Sequence, residues 1–265
     1  MEQRKKMKIL ICGKGGSGKS TIAALLAKSI AAEGYNVLVI DSDESNFGLH
    51  RQLGMELPKD FMNYIGGKKA MSKRMIKSIP KGKPVNVFDK TWRIEDVPEE
   101  YLTEKSGIKL LAIGKIRDFG EGCACPMGAL LKAMLENLKV RDKEIIIVDT
   151  DAGVEHFGRG VEQGCDTILM VVDPSFESLK LSEKIEELAR SVKKPVYFVL
   201  NKVGDESKDI MLESLNSNKV AGVILANTDV FRAGLAGEEL DVQLSEIEEL
   251  AKFLFSGQEG SHETE

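Results

Sequence analysis

The sequence predicts an α/β protein built on a single doubly wound, mostly parallel sheet with helices on both faces. Three observations support this fold class. Short segments rich in Val, Ile and Leu recur along the chain, which is typical of strands that are buried on both faces. Segments with apolar residues at helical spacing alternate with these strands. A glycine-rich loop also joins the first strand to the first helix.

The predicted elements can be placed in chain order. A strand at 8–12 precedes a helix at 20–33, in which apolar residues recur at helical spacing and which ends before Gly34. Further strands are predicted at 36–41, 109–113, 144–149, 166–173, 195–201 and 220–225, and further helices at 127–138, 175–192, 207–215 and 242–255.

Residues 55–105 interrupt the strand–helix alternation and predict a helical insertion in the domain. The basic stretch at 68–83 contains no acidic residue. Lys69, Lys73 and Lys77 are four residues apart and would share one face of a helix. This stretch could dock an acidic partner, or it could simply be a solvated face.

The composition and the charge of the chain exclude several classes of protein. We expect residues 1–255 to form one domain and the acidic residues 256–265 to form a disordered tail. Of the 265 residues 42% are hydrophobic and 30% are charged, which excludes a wholly disordered chain. The net charge of −5 disfavours a general nucleic-acid binder. No apolar run approaches the ~20 residues that span a bilayer, and no signal-type apolar core is visible. We therefore expect a cytoplasmic protein without nucleic-acid binding or stable membrane binding.

The loop after the first strand matches the phosphate-binding pattern G-x-x-x-x-G-K-[ST]. Its glycines allow backbone N–H groups to turn toward phosphate oxygens, and the following helix adds its partial positive charge. Lys19 would bind the β- and γ-phosphates, the hydroxyl of Ser20 would ligate Mg²⁺, and Asp149 would supply a carboxylate to the Mg²⁺ shell. The predicted phosphate-binding residues are Gly13, Lys14, Gly15, Gly16, Ser17, Gly18, Lys19, Ser20 and Thr21.

A second lysine in this loop, Lys14, gives the sequence G-K-G-G-S-G-K-S. It resembles the deviant phosphate loop of the MinD, nitrogenase iron-protein and ParA family of dimeric ATPases. The resemblance covers residues 7–255, is weakest at 55–105, and implies an Mg²⁺-dependent ATPase. It further implies a homodimer in which Lys14 takes part in catalysis by reaching across to the partner's nucleotide.

Two segments resemble the switches of that family. Residues 41–43 (D-S-D) resemble switch I, which implies that Asp41 lies near Mg²⁺ and that Asp43 positions the attacking water. Asp43 could instead cap a helix that follows it. Residues 149–153 (D-T-D-A-G) resemble switch II, with Gly153 free to turn its N–H toward the γ-phosphate.

Four polar residues near these motifs have separate interpretations. Asn201 and Lys202 resemble the family segment that reads the adenine base, although an Asn at a strand end is also a common turn residue. Asp151 stands where many family members have Pro or Gly, which predicts a different movement of switch II. His156 fits a hydrogen-bonded helix residue better than a metal ligand or sensor.

The four cysteines fall into two groups. Cys12 and Cys165 lie beside apolar stretches and are expected to be small buried residues. Cys123 and Cys125 form a C-x-C pair at the start of a predicted helix, where the helix N-terminus favours thiolate. A tetrahedral metal site needs four ligands, and the two thiolates of one chain supply half of them. A two-fold axis between two chains would bring four thiolates together. By itself the pair could equally be two reduced cysteines close by chance.

A C-x-C pair between the two switches resembles the CooC family of nickel-insertion ATPases, which mature carbon monoxide dehydrogenase. The segments 152–160 and 201–203 also resemble that family. The resemblance implies that Cys123 and Cys125 bind Ni²⁺ or Zn²⁺ between two chains and that a nickel enzyme such as carbon monoxide dehydrogenase receives the metal. An iron–sulfur cluster shared by two chains is a third option.

Two other functions stay open as alternatives. One is an iron–sulfur reductase component like the nitrogenase iron protein, although that family uses single cysteines from two separate segments. The other is a positioning ATPase like MinD or ParA, which would need a membrane-binding helix or basic DNA contacts. The acidic tail and the net charge of −5 disfavour the second alternative.

Overall fold

The computed structural model describes residues 6–78, 87–88, 90–117 and 124–256, and it confirms the predicted fold class. The strands in these residues form one sheet, and every predicted strand is present to within two residues. In chain order they are β1 (Met7–Gly13), β2 (Asn36–Asp41), β3 (Thr103–Lys105), β4 (Ile108–Ala112), β5 (Glu144–Asp149), β6 (Thr167–Val172), β7 (Val196–Val203) and β8 (Val220–Leu225). Their order across the sheet is β3-β4-β2-β5-β1-β6-β7-β8, and only β3 is antiparallel to its neighbour.

The predicted helices are confirmed with ends that shift by up to three residues, and three helices are present that the sequence does not predict. The α-helices are α1 (Lys19–Ala32), α2 (Leu49–Gln52), α3 (Gly67–Ser78), α4 (Cys125–Asn137), α5 (Glu155–Arg159), α6 (Phe176–Ser191), α7 (Asp205–Glu213), α8 (Thr228–Ala236) and α9 (Ser245–Ser256). The unpredicted helices are α2, α5 and α8. The first two are about one turn long, which is too short to show a helical period. Helix α8 has no fully buried residue, although Val230 and Ala233 pack against the core while partly buried.

Apolar layers cover both faces of the sheet. Along β1 the side chains alternate between them, with Leu10 and Cys12 in one layer and Ile9 and Ile11 in the other. The layer of Leu10 contains residues of α4 and α6, whereas the layer of Ile9 contains residues of α1 and α9. Within the described ranges, none of the helices combines the length and the apolar character that crossing a bilayer demands.

The prediction that residues 55–105 form a helical insertion is wrong for the last part of this range. Residues 103–105 form β3, which pairs with β4 as an antiparallel edge strand, and three residues are too few to show a strand period. A 3-10 helix at Phe61–Ile65 and α3 form the helical part. Residues 79–83 of the basic stretch and residues 257–265 of the expected tail lie outside the described residues.

The basic face of α3 is exposed. Lys69, Lys73 and Lys77 are exposed as predicted, and none of the ion pairs between described residues includes them. Met71, on the other face, is fully buried in the core. The helix thus combines a core-facing side, with Met71 fully buried and Met75 partly buried, with an exposed side that carries Lys69, Lys73 and Lys77.

Candidate active site

The phosphate loop lies between β1 and α1, at the carboxyl edge of the parallel strands. Gly13 has φ +144°, and a Cβ there would lie 2.4 Å from the carbonyl oxygen of Val171. Gly18 has φ +99°, and a Cβ there would lie 2.3 Å from Nδ2 of Asn201. Both positions require glycine, because a side chain would be strained and would also clash.

The two lysines of the loop have different surroundings. Lys19 is only 6% exposed, its Nζ lies 3.4 Å from the carbonyl oxygen of Lys14, and no ion pair between described residues includes it. Lys14 is folded back within its own chain, where its Nζ donates to Oγ of Ser175 (3.1 Å) and lies 3.7 Å from Oδ2 of Asp173. Lys14 must leave these contacts before it can reach a second chain.

The end of β7 contacts the loop from one side. Nδ2 of Asn201 donates to the carbonyl oxygen of Ser17 (2.8 Å), and Nζ of Lys202 donates to that of Gly16 (2.7 Å). Lys202 has φ +59°, an uncommon value for a residue with a side chain, which marks a constrained position. These two residues lie on the opposite side of β1 from the acidic ends of β2 and β5.

Two buried carboxylates end those strands. Asp41 and Asp149 are paired in register, so their side chains lie close to one another. Oγ of Ser20 donates to Oδ2 of Asp149 (2.5 Å) and accepts from Nδ2 of Asn46 (2.8 Å). Oδ1 of Asp149 is buried without a hydrogen-bond partner among the described residues. Because Mg²⁺ prefers oxygen ligands of this kind, Ser20, Asp41 and Asp149 fit an Mg²⁺ site.

Burial raises the pKa of both carboxyls. The pKa of Asp149 rises to about 7, first because of burial and then because of the charge of Asp41. The pKa of Asp41 rises to about 6 through burial, against the opposing effect of Lys115. A divalent cation at this site would therefore replace protons as well as water.

The pKa of Asp149 predicts how stability depends on pH. An unfolded aspartate releases its proton near its ordinary value of 3.8, whereas folded Asp149 holds it up to about pH 7. The unfolded chain then binds fewer protons in this pH interval. The free energy of unfolding contributed by Asp149 therefore falls as the pH rises through the interval.

We expect thermal unfolding of nucleotide-free protein in EDTA to show this loss of stability between pH 5 and 7.5. The Asp149→Asn variant should largely lack the loss. A variant at an exposed acid, Glu33→Gln, should keep the wild-type slope, and an equal slope in Asp149→Asn would contradict the prediction.

A buried lysine that the sequence does not single out holds switch I. Lys115 follows β4, and its Nζ lies 2.7 Å from Oδ2 of Asp41, with both side chains almost fully buried. The same Nζ donates to the carbonyl oxygen of Asp43 (2.6 Å) and to that of Asn46. In the sequence, Lys115 is recognisable only as a lysine just beyond the end of a buried strand. This feature is too common to assign a role to the residue.

Asp43 organises the chain after β2 as a turn. Its Oδ1 accepts from the backbone N–H groups of Ser45 (3.0 Å) and Asn46 (3.2 Å) and from the hydroxyl of Ser45 (2.7 Å). The helix-cap alternative is wrong for α2, because α2 begins at Leu49 and Gly48 is its N-cap. Asp43 is 9% exposed and lies at the same edge of the sheet as Asp41.

Switch II is bonded to the phosphate-loop side of the site. The backbone N–H of Gly153, which has φ +90°, donates to the carbonyl oxygen of Gly13 (3.1 Å). Oγ1 of Thr150 donates to the carbonyl oxygen of Ile11 (2.8 Å). Turning the N–H of Gly153 toward a γ-phosphate therefore requires the bond to Gly13 to break.

His156 is buried without hydrogen bonds among the described residues. It lies in the short helix α5 and is 2% exposed. The expected hydrogen bonding is wrong, because neither ring nitrogen has a partner in the part of the chain that the structure describes. Its ring packs against Phe157 at 4.7 Å between centroids. Burial, followed by the charges of Arg159 and Lys19, lowers its pKa to about 3, so the ring is neutral.

The prediction that Cys12 and Cys165 are buried is confirmed. Cys12 and Cys165 are buried, and burial raises the pKa of each thiol to about 12. Cys125 is exposed and is the first residue of α4, whereas Cys123 lies outside the described residues. Gly114, which follows β4, lies against the first turn of α4, since a Cβ there would be 2.9 Å from Sδ of Met127. Cys125 therefore lies at the same edge of the sheet as the phosphate loop.

Relatives of known sequence are similar to this chain over most of its length. An uncharacterised ATP-binding protein of Methanocaldococcus jannaschii is 57% identical over 248 residues, covering 94% of this chain and 99% of the relative. The carbon monoxide dehydrogenase accessory protein CooC of Rhodospirillum rubrum is 34% identical over 204 residues, which is 74% of each chain. The two relatives support ATP binding and a position close to CooC within the wider family.

A solved structure shares the fold of this chain, and a family match covers most of its length. The septum site-determining protein MinD of Pyrococcus horikoshii, in complex with Mg-ADP, superposes with a TM-score of 0.69 at 16% identity, covering 94% of this chain and 96% of that one. Residues 8–240 match the family described as the CobQ/CobB/MinD/ParA nucleotide binding domain. The chain is a P-loop ATPase of the MinD type and belongs to the CobQ/CobB/MinD/ParA family.

Proposed function

We propose that the protein is an ATP-driven metallochaperone that carries one Ni²⁺ or Zn²⁺ ion between two chains. Cys123 and Cys125 of each chain would hold the ion, and a nickel enzyme such as carbon monoxide dehydrogenase would receive it. The observation that carries this proposal is the exposed Cys125 at the N-terminus of α4, on the edge that bears the ATP site. The cytoplasm suits this function, because thiolates stay reduced there.

The ATPase half of the proposal assigns roles to the residues around the loop. Lys19 binds the β- and γ-phosphates, and Asp43 orients the attacking water. Asn201 and Lys202 contact the base side, opposite the acidic strands. Mg²⁺, when bound by Ser20, Asp41 and Asp149, neutralises charge that develops on the phosphates. Lys14 acts on the nucleotide of the partner chain after leaving Ser175 and Asp173.

The metal half of the proposal requires two chains. Within the described residues no three His, Cys, Asp or Glu side chains are grouped so that they could hold a metal ion. The C-x-C pair supplies two thiolates, and four are needed to close a tetrahedral site. A two-fold axis that passes between two such pairs supplies the other two. The CooC relative at 34% identity, named as an accessory protein of carbon monoxide dehydrogenase, supports this output for the ATPase.

Metal content and molecular mass, measured with and without ATP, test the proposal. We expect the reduced wild-type protein loaded with Ni²⁺ or Zn²⁺ to bind one ion per two chains. The Cys123→Ala/Cys125→Ala variant should lose the ion and the metal-dependent dimer. The matched control is Cys165→Ala, which removes a buried thiol and should keep the stoichiometry.

Three results would contradict the metal proposal. Retention of the metal in the Cys123→Ala/Cys125→Ala variant would place it elsewhere. A brown protein after anaerobic purification, with visible absorption that this variant lacks, would instead assign an iron–sulfur cluster to the pair. ATP-dependent dimers that bind no metal would leave the ATPase intact and remove the chaperone function.

A further inference from the structure

The segment that follows β4 runs alongside switch I and is bonded to it through the backbone. The N–H of Ile113 donates to the carbonyl oxygen of Asp41 (2.9 Å), and the N–H of Ile116 donates to that of Glu44 (3.0 Å). Because β4 is the parallel neighbour of β2, these two bonds extend the pairing of the strands beyond their ends. Lys115 lies between the two bonded isoleucines, so its backbone is fixed relative to switch I.

The ammonium group of Lys115 lies within the switch I loop, which comprises residues 41–47. It pairs with the carboxylate of Asp41 at 2.7 Å, and it donates to the carbonyl oxygens of Asp43 (2.6 Å) and Asn46. An ammonium group has three N–H donors, and these three partners use all of them. The switch I loop is therefore wrapped around a buried cation that belongs to the same chain.

Two side chains of this loop face the nucleotide site. Nδ2 of Asn46 donates to Oγ of Ser20 at 2.8 Å, and Ser20 is one of the residues that fit the Mg²⁺ site. Oδ1 of Asp43 is used by three bonds from Ser45 and Asn46, which leaves Oδ2 as the oxygen that can hold a water. Lys115 binds the carbonyl oxygens of these same two residues, Asp43 and Asn46. Moving the ammonium group would therefore displace both side chains together.

Lys115 is separate from the groups that bind phosphate. Among the described residues its ion pair and its hydrogen bonds are all to the switch I loop, and none is to the phosphate loop. The loss of its side chain should therefore leave the binding of nucleotide largely unchanged and affect the step in which water attacks. In kinetic terms the effect belongs in kcat rather than in KM.

We propose that Lys115 is a positioning residue for ATP hydrolysis, which holds the switch I loop so that Asp43 and Ser20 meet the nucleotide in the reactive arrangement. The proposal rests on the proposed function in taking Asp43 as the residue that orients the attacking water. It adds the group that fixes Asp43 in place. A displacement of about 1 Å at a reacting group can cost about a hundredfold in rate.

Steady-state kinetics of the full chain test this role. We expect Lys115→Met to lower kcat by about thirtyfold to a hundredfold, with KM for ATP close to the wild-type value. Lys115→Arg keeps the charge, but a planar guanidinium cannot direct three donors from one nitrogen, so its kcat should lie between the two. The affinity for ADP, measured by calorimetry in EDTA, should be the same in all three proteins.

Hydrogen–deuterium exchange of the nucleotide-free protein in EDTA gives a readout that does not depend on activity. The amides of residues 45 and 46 are bonded to Oδ1 of Asp43 and report on the order of the switch I loop. In Lys115→Met their exchange should be faster by about tenfold or more, which corresponds to the loss of one hydrogen bond. The amide of Ser17, which is bonded within the phosphate loop at 3.1 Å, should keep its wild-type exchange.

A control variant separates positioning from a general loss of stability. Leu250 is fully buried in α9, in the apolar layer of Ile9, and belongs to none of the segments that form the nucleotide site. Leu250→Ala leaves a cavity and also destabilises the fold. Measured at a temperature below the unfolding transition of every variant, its kcat should equal that of the wild type.

Each outcome decides either this role or the function on which it rests. A wild-type kcat in Lys115→Arg or in folded Lys115→Met overturns the role of Lys115, and so does an equal loss of kcat in Leu250→Ala. A lower kcat with unchanged exchange at residues 45 and 46 overturns it as well, because the effect would not pass through the loop. A wild-type kcat in Asp43→Ala would instead overturn the proposed role of Asp43, while the exchange data still decide whether Lys115 holds the loop.

Discussion

Replacing Lys19 with alanine is expected to lower kcat for ATP hydrolysis by about a hundredfold to a thousandfold. The lysine is almost fully buried, and its one hydrogen bond among the described residues is to the carbonyl oxygen of Lys14 at 3.4 Å, so its charge is available to the phosphates. The transition state concentrates negative charge on the transferred group, and nothing else in the described loop supplies a buried cation at that point.

Steady-state kinetics and thermal unfolding together check the result for Lys19. The control is Lys28→Ala on the same helix, which breaks an ion pair with Glu239 outside the site and should keep the wild-type kcat. The unfolding temperature of Lys19→Ala should not fall, because the variant removes a buried cation that has no ion-pair partner among the described residues. A rise in KM at unchanged kcat would show that Lys19 binds ATP without acting in the transition state.

Replacing Lys115 with methionine is expected to lower the free energy of unfolding by about 3–5 kcal/mol. Methionine fills a similar volume, but it leaves the carboxylate of Asp41 buried without its counter-charge. It also removes the donor to the carbonyl oxygens of Asp43 and Asn46. Denaturant unfolding of the nucleotide-free protein measures the loss.

A double-mutant cycle isolates the contribution of this ion pair. Asp41→Asn combined with Lys115→Met should recover much of the stability, because no unpaired charge then stays buried. The control is Lys59→Met, whose pair with Glu100 is exposed and whose loss should change stability little. If Lys115→Met were as mild as this control, the buried pair would not hold switch I in place.

Most strands were predictable because they are buried on both faces, which makes their sequences almost continuously apolar, and the half-buried edge strand β8 also has a continuous apolar run. β2, β5 and β8 have the predicted bounds, and the others differ by one or two residues at an end. β3 was not predictable, because an edge strand of three residues with two exposed side chains carries neither an apolar run nor an alternation. The helices α2 and α5 were also not predictable, because a helix of about one turn is too short to show a helical period.

Some residues of the candidate site were predictable from the sequence, and others were not. The phosphate loop was predictable because the phosphates constrain several consecutive residues, so its signal lies in one short segment. Lys115 and Asn46 contact residues far apart from them in the chain, and no local pattern identifies them. His156 shows the limit of reasoning from residue type, because its burial was compatible with the sequence but its lack of hydrogen bonds was not foreseen.

The antiparallel strand β3 has a consequence for how copies of the protein can meet. An unpaired edge strand exposes N–H and C=O groups that another chain can pair with. At this edge the outermost strand is only three residues long and presents Glu104 and Lys105 to solvent. Such an edge is a poor template for growth of the sheet from one molecule to the next. Strand pairing between copies of the protein is therefore disfavoured at β3, and the six-residue strand β8 at the opposite edge is the longer of the two edges.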